Sequence, residues 1–192
     1  VKAVQDISLE IDKGSIFALI GPNGAGKSTT MNLLSGTYQP DSGELVFDGK
    51  VLNGMPSHQR VRLGIARTFQ KIRLFRQLSL LDNVQRAGSL AYGQQRMLEI
   101  ARALATEPSL FMLDEPAAGL NGSEVQFLLQ RLRDMRDRGI TVVVVEHNMD
   151  LVMNVADHVY VMDHGEFLFR GSPQEVQNDP KVISAYLGGE LS

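Results

Sequence analysis

The sequence predicts an α/β core: a mainly parallel sheet covered by helices, with a small antiparallel β region beside it. Three observations predict this class. Short, strongly apolar runs at residues 15–20, 110–114 and 140–145 have the length and composition of buried strands. Helical segments alternate with them, as in βαβ units. The first run also passes directly into Gly21-Pro22-Asn23-Gly24-Ala25-Gly26-Lys27-Ser28-Thr29, which matches G-x-x-x-x-G-K-[ST], the phosphate-binding P-loop.

Each element has a local reason. Residues 6–11 and 44–47 read as antiparallel strands beside the parallel core. Residues 15–20 form the buried strand that delivers the P-loop, and a helix follows over residues 27–35, stopped by Gly36. The P-loop's residue types follow from its chemistry. Its glycines let backbone N–H groups turn toward a polyphosphate, Lys27 supplies a compact positive charge for the β- and γ-phosphates, and the Ser28 hydroxyl can ligate Mg²⁺. The helix points its positive end at the same anion. Residues 110–115 read as a strand ending in two carboxylates, Asp114 and Glu115. Downstream of a P-loop, Asp114 is expected to hold the Mg²⁺ shell and Glu115 to orient or deprotonate the attacking water.

Farther along, Met97, Ile100, Ala101 and Leu104 recur at helical spacing, which puts Gly93 and Gln94 at a helix N-terminus. Residues 124–138 form an amphipathic helix with the stripe Val125, Leu128, Leu129, Leu132 and Met135, ended by Gly139. Ser172-Pro173-Gln174-Glu175 combines a capping box with Pro at the first helical position and starts a late helix.

Composition narrows the function. The 192 residues suffice for one domain spanning the chain. The strongest apolar stretch, residues 140–145, is far too short to cross a bilayer, and no signal peptide is visible. Cysteine is absent, so neither a disulfide nor a thiolate–metal framework is available. A net charge of −3 argues against general nucleic-acid binding. The arginines of residues 124–138 read as a solvated face. His58, His158 and His164 read as structural or exposed.

Taken together, the motifs resemble those of the ATP-binding subunits of ABC transporters, in that family's order. After the P-loop come Thr68-Phe69-Gln70, similar to the Q-loop, and Leu90-Ala91-Tyr92-Gly93-Gln94, similar to the signature. Asp114-Glu115 ends the Walker B strand. Ala118-Gly119-Leu120-Asn121 resembles the D-loop, and Glu146-His147 follows a Val-rich strand as the switch histidine does. Within the family the wording is most similar to the ATPases of branched-chain amino-acid importers, carried by Arg67 to Gln70, the signature, residues 115–121 and the ending at 180–188. ATPases for urea, short amides or lipopolysaccharide export share parts of it.

The resemblance implies a P-loop NTPase fold, ATP and Mg²⁺ as ligands, and hydrolysis with Glu115, His147 and Gln70 as catalytic residues. It implies Ser28, Gln70 and Asp114 about the metal. It also implies head-to-tail pairing, as a homodimer or with a second ABC ATPase, so that Leu90, Ala91, Tyr92, Gly93 and Gln94 meet the partner's ATP. Transmembrane permease subunits would be the coupling partners and nucleic acid would not be one. The expected place is cytoplasmic, peripheral on the inner membrane. Two alternatives stay open: a soluble, non-transport ABC ATPase, or a nucleotide-binding module with impaired hydrolysis.

The sequence departs from the family pattern at four places. Ala91 stands where the signature usually has Ser, and Asn121 where many relatives have Asp. No Tyr, Phe or Trp precedes Phe17 to stack on adenine. Between Gln70 and the signature the family carries a helical subdomain several helices long, whereas only residues 71–89 stand here. This predicts residues missing near 85–86, through disorder or excision, and a helical subdomain that is truncated.

Overall fold

The computed structural model describes residues 2–68 and 92–187. Its strands are β1 (Ile16–Ile20), β2 (Val46–Phe47), β3 (Lys50–Val51), β4 (Ile65–Arg67), β5 (Leu110–Asp114), β6 (Thr141–Val145), β7 (His158–Asp163) and β8 (Glu166–Gly171). Its helices are α1 (Lys27–Leu34), α2 (Ser57–Arg62), α3 (Tyr92–Leu104), α4 (Gly122–Asp137), α5 (Met149–Val155), α6 (Pro173–Asn178) and α7 (Pro180–Leu187). The main sheet has the order β4-β5-β6-β1-β7-β8. Its first five strands pair in parallel, and β8 returns antiparallel on β7 with an irregularity at Val161/Met162.

Parallel strands covered on both faces are apolar throughout. Every residue of β1, β5 and β6 is accordingly buried. Alternation sends Ile16, Phe111, Leu113, Val142 and Val144 to one face, where α4 seals them with Leu128, Leu129, Leu132 and Met135. Phe17, Leu19, Met112, Val143 and Val145 face the other side and pack with Met31 of α1. A third cluster joins Ala18, Ile20, Val159 and Val161 to Val176 and Val182 of the last two helices.

Most helix signals act as predicted. α1 ends at Leu34 with Ser35 as its C-cap, and Gly36 follows at φ 76°. Gly139 takes φ 80° beyond the end of α4, as expected. α4 starts at Gly122, not 124, because Asn121 caps it in a full capping box with Glu124, which sequence reasoning did not foresee. Ser172 and Glu175 form the second box, with Pro173 opening α6.

Both antiparallel strand predictions need correction. Residues 6–11 form no ladder. Ile7, Leu9 and Ile11 alternate inward as a strand's would, but packing on the second cluster satisfies them. The Tyr160 hydroxyl reaches the Ser8 carbonyl there, at 3.2 Å. The strand at 44–47 shrinks to Val46–Phe47, paired with Lys50–Val51. Asp48 and Gly49 both take positive φ, 48° and 75°, as a type I′ hairpin turn requires. The predicted break near residues 85–86 lies outside the described residues.

Candidate nucleotide site

Register brings the predicted chemistry to one edge. In the parallel sheet Leu19 and Asp114 both stand level with Val145, so the chain leaves β1, β5 and β6 at the same end. Strand C-terminal ends of open α/β sheets are where ligands bind. The P-loop leaves β1, Asp114 and Glu115 end β5, and Glu146 and His147 follow β6.

Two of the P-loop's glycines are required by close approach. At Gly21, φ 152°, a Cβ would run into the Met162 carbonyl. At Gly26, φ 95°, it would sit 2.5 Å from the Ala3 carbonyl oxygen. Ala25 N–H donates to the Pro22 carbonyl at 3.2 Å and closes the turn. Asn23, Gly24 and Ser28 are exposed, which leaves the Ser28 hydroxyl open to a ligand; Thr29 is partly covered. Lys27 is buried and donates through Nζ to the carbonyls of Gly21, at 2.6 Å, and Pro22, at 2.9 Å. Burial lowers the Lys27 pKa below the usual lysine value, and the carboxylates of Glu115 and Asp114 act to raise it. An ammonium held this way is poised to exchange carbonyl partners for phosphate oxygens.

Asp114 is buried and pairs with Arg67 of β4 at 2.9 Å. Arg67 also donates to Asn32 Oδ1, at 2.7 Å, and Ser35 Oγ, at 3.0 Å. One guanidinium thus ties the Asp114 carboxylate to the far end of the P-loop helix. Glu115 sits beyond it at φ 45°, an uncommon conformation for a residue with a Cβ. His147 approaches it, Nδ1 lying 3.7 Å from Glu115 Oε1. Lys27, Asp114, Glu115 and His147 therefore converge, whereas His158 lies beside Asp12, and His164, in the turn after β7, lies beside Asp163.

Among the described residues no group of three or more His, Cys, Asp or Glu side chains could hold a metal by itself. This donor set fits Mg²⁺, which keeps water and phosphate oxygens and takes one or two protein oxygens. Here those would be the Ser28 hydroxyl and the Asp114 carboxylate.

The signature's first described residue, Tyr92, opens α3, and Gly93 is buried at its N-terminus. A Cβ on Gly93 would collide with the Glu124 carboxylate. That carboxylate also accepts from the Asn121 N–H at 2.9 Å, and Asn121 Oδ1 accepts from the Glu124 N–H at 3.0 Å. Asn121 is thus the N-cap of α4, and the cap braces the start of α3. Gln94 stays exposed. Gln70, Leu90 and Ala91 lie outside the described residues.

Sequence reasoning missed three buried charges around this edge. Arg96, 1% exposed, donates to the carbonyls of Asp114 and Glu115. Glu146, also 1% exposed, accepts from the N–H groups of Ala117, at 2.9 Å, His147, at 3.2 Å, and Asn148, at 3.3 Å. Arg60 is fully buried and donates to Leu33 and Leu34 at the end of α1. The only signal for Glu146 was its place after four consecutive valines, where a lone carboxylate demands partners.

The family profile described as ABC transporter matches residues 4–88 and 82–118. The chain belongs to the ABC transporter ATP-binding family. It is an ABC-type ATPase subunit with a P-loop α/β fold. A second profile, branched-chain amino acid ATP-binding cassette transporter, matches residues 168–191. A high-affinity branched-chain amino acid transport ATP-binding protein of Salmonella typhimurium is 37% identical over 234 residues, 97% of this chain and 92% of that protein. Its counterpart in Pseudomonas aeruginosa is 36% identical with the same coverage. Among solved structures, the ADP conformation of an ATP-binding cassette of an ABC transporter superposes with a TM-score of 0.86, at 28% identity, covering 97% of this chain and 92% of that one. A dimeric bacterial ABC transporter cassette gives 0.78 at 25% identity, covering 89% and 90%. No described helix of this ABC subunit is long and apolar enough to cross a membrane.

Proposed function

We propose that this subunit binds Mg²⁺ and ATP and hydrolyses the nucleotide to drive an importer of branched-chain or related amino acids. The observation that carries the reading is the convergence of Lys27, Asp114, Glu115 and His147 at one sheet edge. The match of residues 168–191 to a branched-chain profile supports the substrate class. In this reading the P-loop amides and Lys27 hold the β- and γ-phosphates. Asp114 and the Ser28 hydroxyl sit where Mg²⁺ would be held, with Gln70 joining them, and the ion supplies charge neutralisation at the phosphates. Glu115 accepts the proton of the attacking water, and His147 meets the γ-phosphate. Gly93 and Gln94, in the first turn of α3, present a helix N-terminus to the nucleotide of a paired subunit, Leu90, Ala91 and Tyr92 complete the signature, and Asn121 acts at the same seam. Permease subunits supply the membrane span and the substrate specificity. The subunit works on the cytoplasmic face of the membrane.

One observation favours a second reading, a nucleotide-binding core whose coupling is impaired. The alignments to the transport relatives run over 234 positions, so at least 42 have no counterpart among these 192 residues. The two stretches of the ABC transporter match overlap at residues 82–88, which supports a break there. That is where the helical subdomain belongs.

One experiment separates the readings. The subunit is co-expressed with branched-chain amino-acid permeases, and ATP turnover is measured with and without transport substrate and binding protein. Substrate-stimulated turnover in an assembled complex supports the importer. Mg²⁺-dependent turnover that ignores the permeases supports the uncoupled core. No turnover under any condition removes both.

A further inference from the structure

The Asp114–Glu115 turn is held in an unusual backbone state by a side chain from another element. Glu115 adopts φ 45° without being glycine. Its N–H is fixed by the Val145 carbonyl at 2.9 Å. On the opposite side, Arg96 Nη2 donates to the Asp114 carbonyl at 2.6 Å and to the Glu115 carbonyl at 3.1 Å. Two successive carbonyls converge on one nitrogen only in a sharply turned chain.

Arg96 is costly to place there. It is 1% exposed, and a buried guanidinium is tolerated only when paired and hydrogen-bonded. Glu99, one turn along the same helix, supplies the counter-charge through Oε2 at 2.9 Å from Nη1. Arg96 lies beside Met97 of the apolar stripe, where an uncharged residue could fill the space. What an apolar residue could not do is donate to both carbonyls.

We propose that Arg96 is a positioning residue. It holds the left-handed Asp114–Glu115 turn so that the Glu115 carboxylate keeps its aim, and it ties that aim to the helix Tyr92–Leu104. The inference rests on the ATPase reading above, in which Glu115 activates water. It deepens that reading, because the same helix begins at the signature. Displacement of the helix by a paired subunit's nucleotide is therefore transmitted to this subunit's own catalytic turn through one side chain.

The test compares Arg96→Met, Arg96→Lys and Glu99→Ala with the parent. Four quantities are measured: kcat, KM for ATP, equilibrium binding of a fluorescent ATP analogue with Mg²⁺, and hydrogen exchange across residues 110–121. Arg96→Met is expected to lower kcat by roughly 10- to 100-fold, the effect of losing charge-assisted hydrogen bonds, while KM and analogue affinity stay within about twofold. Exchange at the Glu115 and Ala118 amides should accelerate. Arg96→Lys restores part of kcat, because one ammonium can still reach one carbonyl. Glu99→Ala gives the same kcat-selective pattern more weakly, since Arg96 loses its tether but keeps its place.

A folded Arg96→Met with parental kcat and unchanged exchange overturns the proposal. So does a loss in which affinity falls as far as kcat. If Arg96→Met does not fold, Arg96→Lys and Glu99→Ala decide: parental kcat and exchange in both overturns the proposal. Exchange also separates the two readings. An inactive parent whose variants still show faster exchange at the turn would remove the ATPase assignment and leave the strut standing.

Discussion

Replacing Glu146 by Ala should cost the fold about 3–5 kcal/mol, and the structure gives the reason. The carboxylate is 1% exposed and accepts three backbone N–H groups. The bond from Ala117 is fully buried and short, at 2.9 Å. The bonds from His147 and Asn148 are longer, at 3.2 and 3.3 Å, and partly buried. Truncation leaves the Ala117 N–H unsatisfied, at about 1–3 kcal/mol, while water can reach the other two for part of their loss. The sum, about 3–5 kcal/mol, equals the usual cost of breaking a buried charged cluster and is a large share of a domain's ~5–15 kcal/mol. With a urea m-value of about 2–3 kcal/mol/M the unfolding midpoint falls by roughly 1–2 M. Glu146→Gln should fall between, because its Oε1 can still serve Ala117 while its NH₂ would oppose two donors. Urea melts followed by circular dichroism measure all three proteins. A midpoint for Glu146→Ala within about 0.3 M of the parent would refute the argument that this carboxylate clamps the Ala117 turn to the His147 loop.

Three further outcomes are expected. Glu115→Gln should keep nucleotide binding and lose turnover by about 10²- to 10⁴-fold, as removal of a general base does; undiminished hydrolysis would exclude Glu115 from that role. Tyr186 carries a buried hydroxyl with no hydrogen bond of good geometry, and burial lifts its pKa to about 12 against a weaker opposing pull from the Gly21 N–H. Tyr186→Phe should therefore leave stability unchanged or raise it by about 1 kcal/mol, and a thermal melt showing a loss of that size would be the contrary result. Glu175, in the α6 capping box, has its carboxyl pKa lowered by the N–H and hydroxyl of Ser172. A lowered carboxyl pKa stabilises the fold above the ordinary glutamate range, near 4.3, and that contribution disappears as pH falls through the lowered value. Glu175→Gln should accordingly melt below the parent at neutral pH and alongside it in strong acid; an equal gap at both pH values would contradict the linkage.

The sequence made the scaffold legible wherever a local signal agreed with burial. The buried run at 15–20, Gly36 past α1, the Ser172 cap and the stripe of α4 all lie within a few residues of the structure they specify. Sequence reasoning missed the Asn121 cap, and α4 starts two residues before the expected 124. Residues 6–11 show where such signals fail. Their alternation records which side chains turn inward, but a strand also needs a partner edge, and the alternation is silent on that. The Asp48-Gly49 turn shows the converse. Sequence reasoning took 44–47 as a strand without the turn that follows, whereas Asp48 and Gly49 at positive φ close a hairpin of only Val46–Phe47 on Lys50–Val51.

Within the site, the visible residues were those whose type is dictated by the ligand. In the proposed reading Lys27, Ser28, Asp114, Glu115 and His147 would face phosphate, metal or water, and their residue types recur at the spacing of the motifs. Arg67, Arg96 and Glu146 face the protein instead. Their partners are a carboxylate 47 positions away, two carbonyls 18 and 19 positions away, and an N–H 29 positions away. A backbone carbonyl or N–H has no identity in a sequence, so neither Arg96 nor Glu146 could have been paired before the fold was known. Each nevertheless restrains a residue that the motifs do reveal: Arg67 holds Asp114, Arg96 holds the Glu115 turn, and Glu146 joins that turn to the His147 loop. The legible residues define the chemistry of this site, and buried charges that the motifs do not name hold it in register. A variant that preserves every motif can therefore still lose activity through Arg67, Arg96 or Glu146.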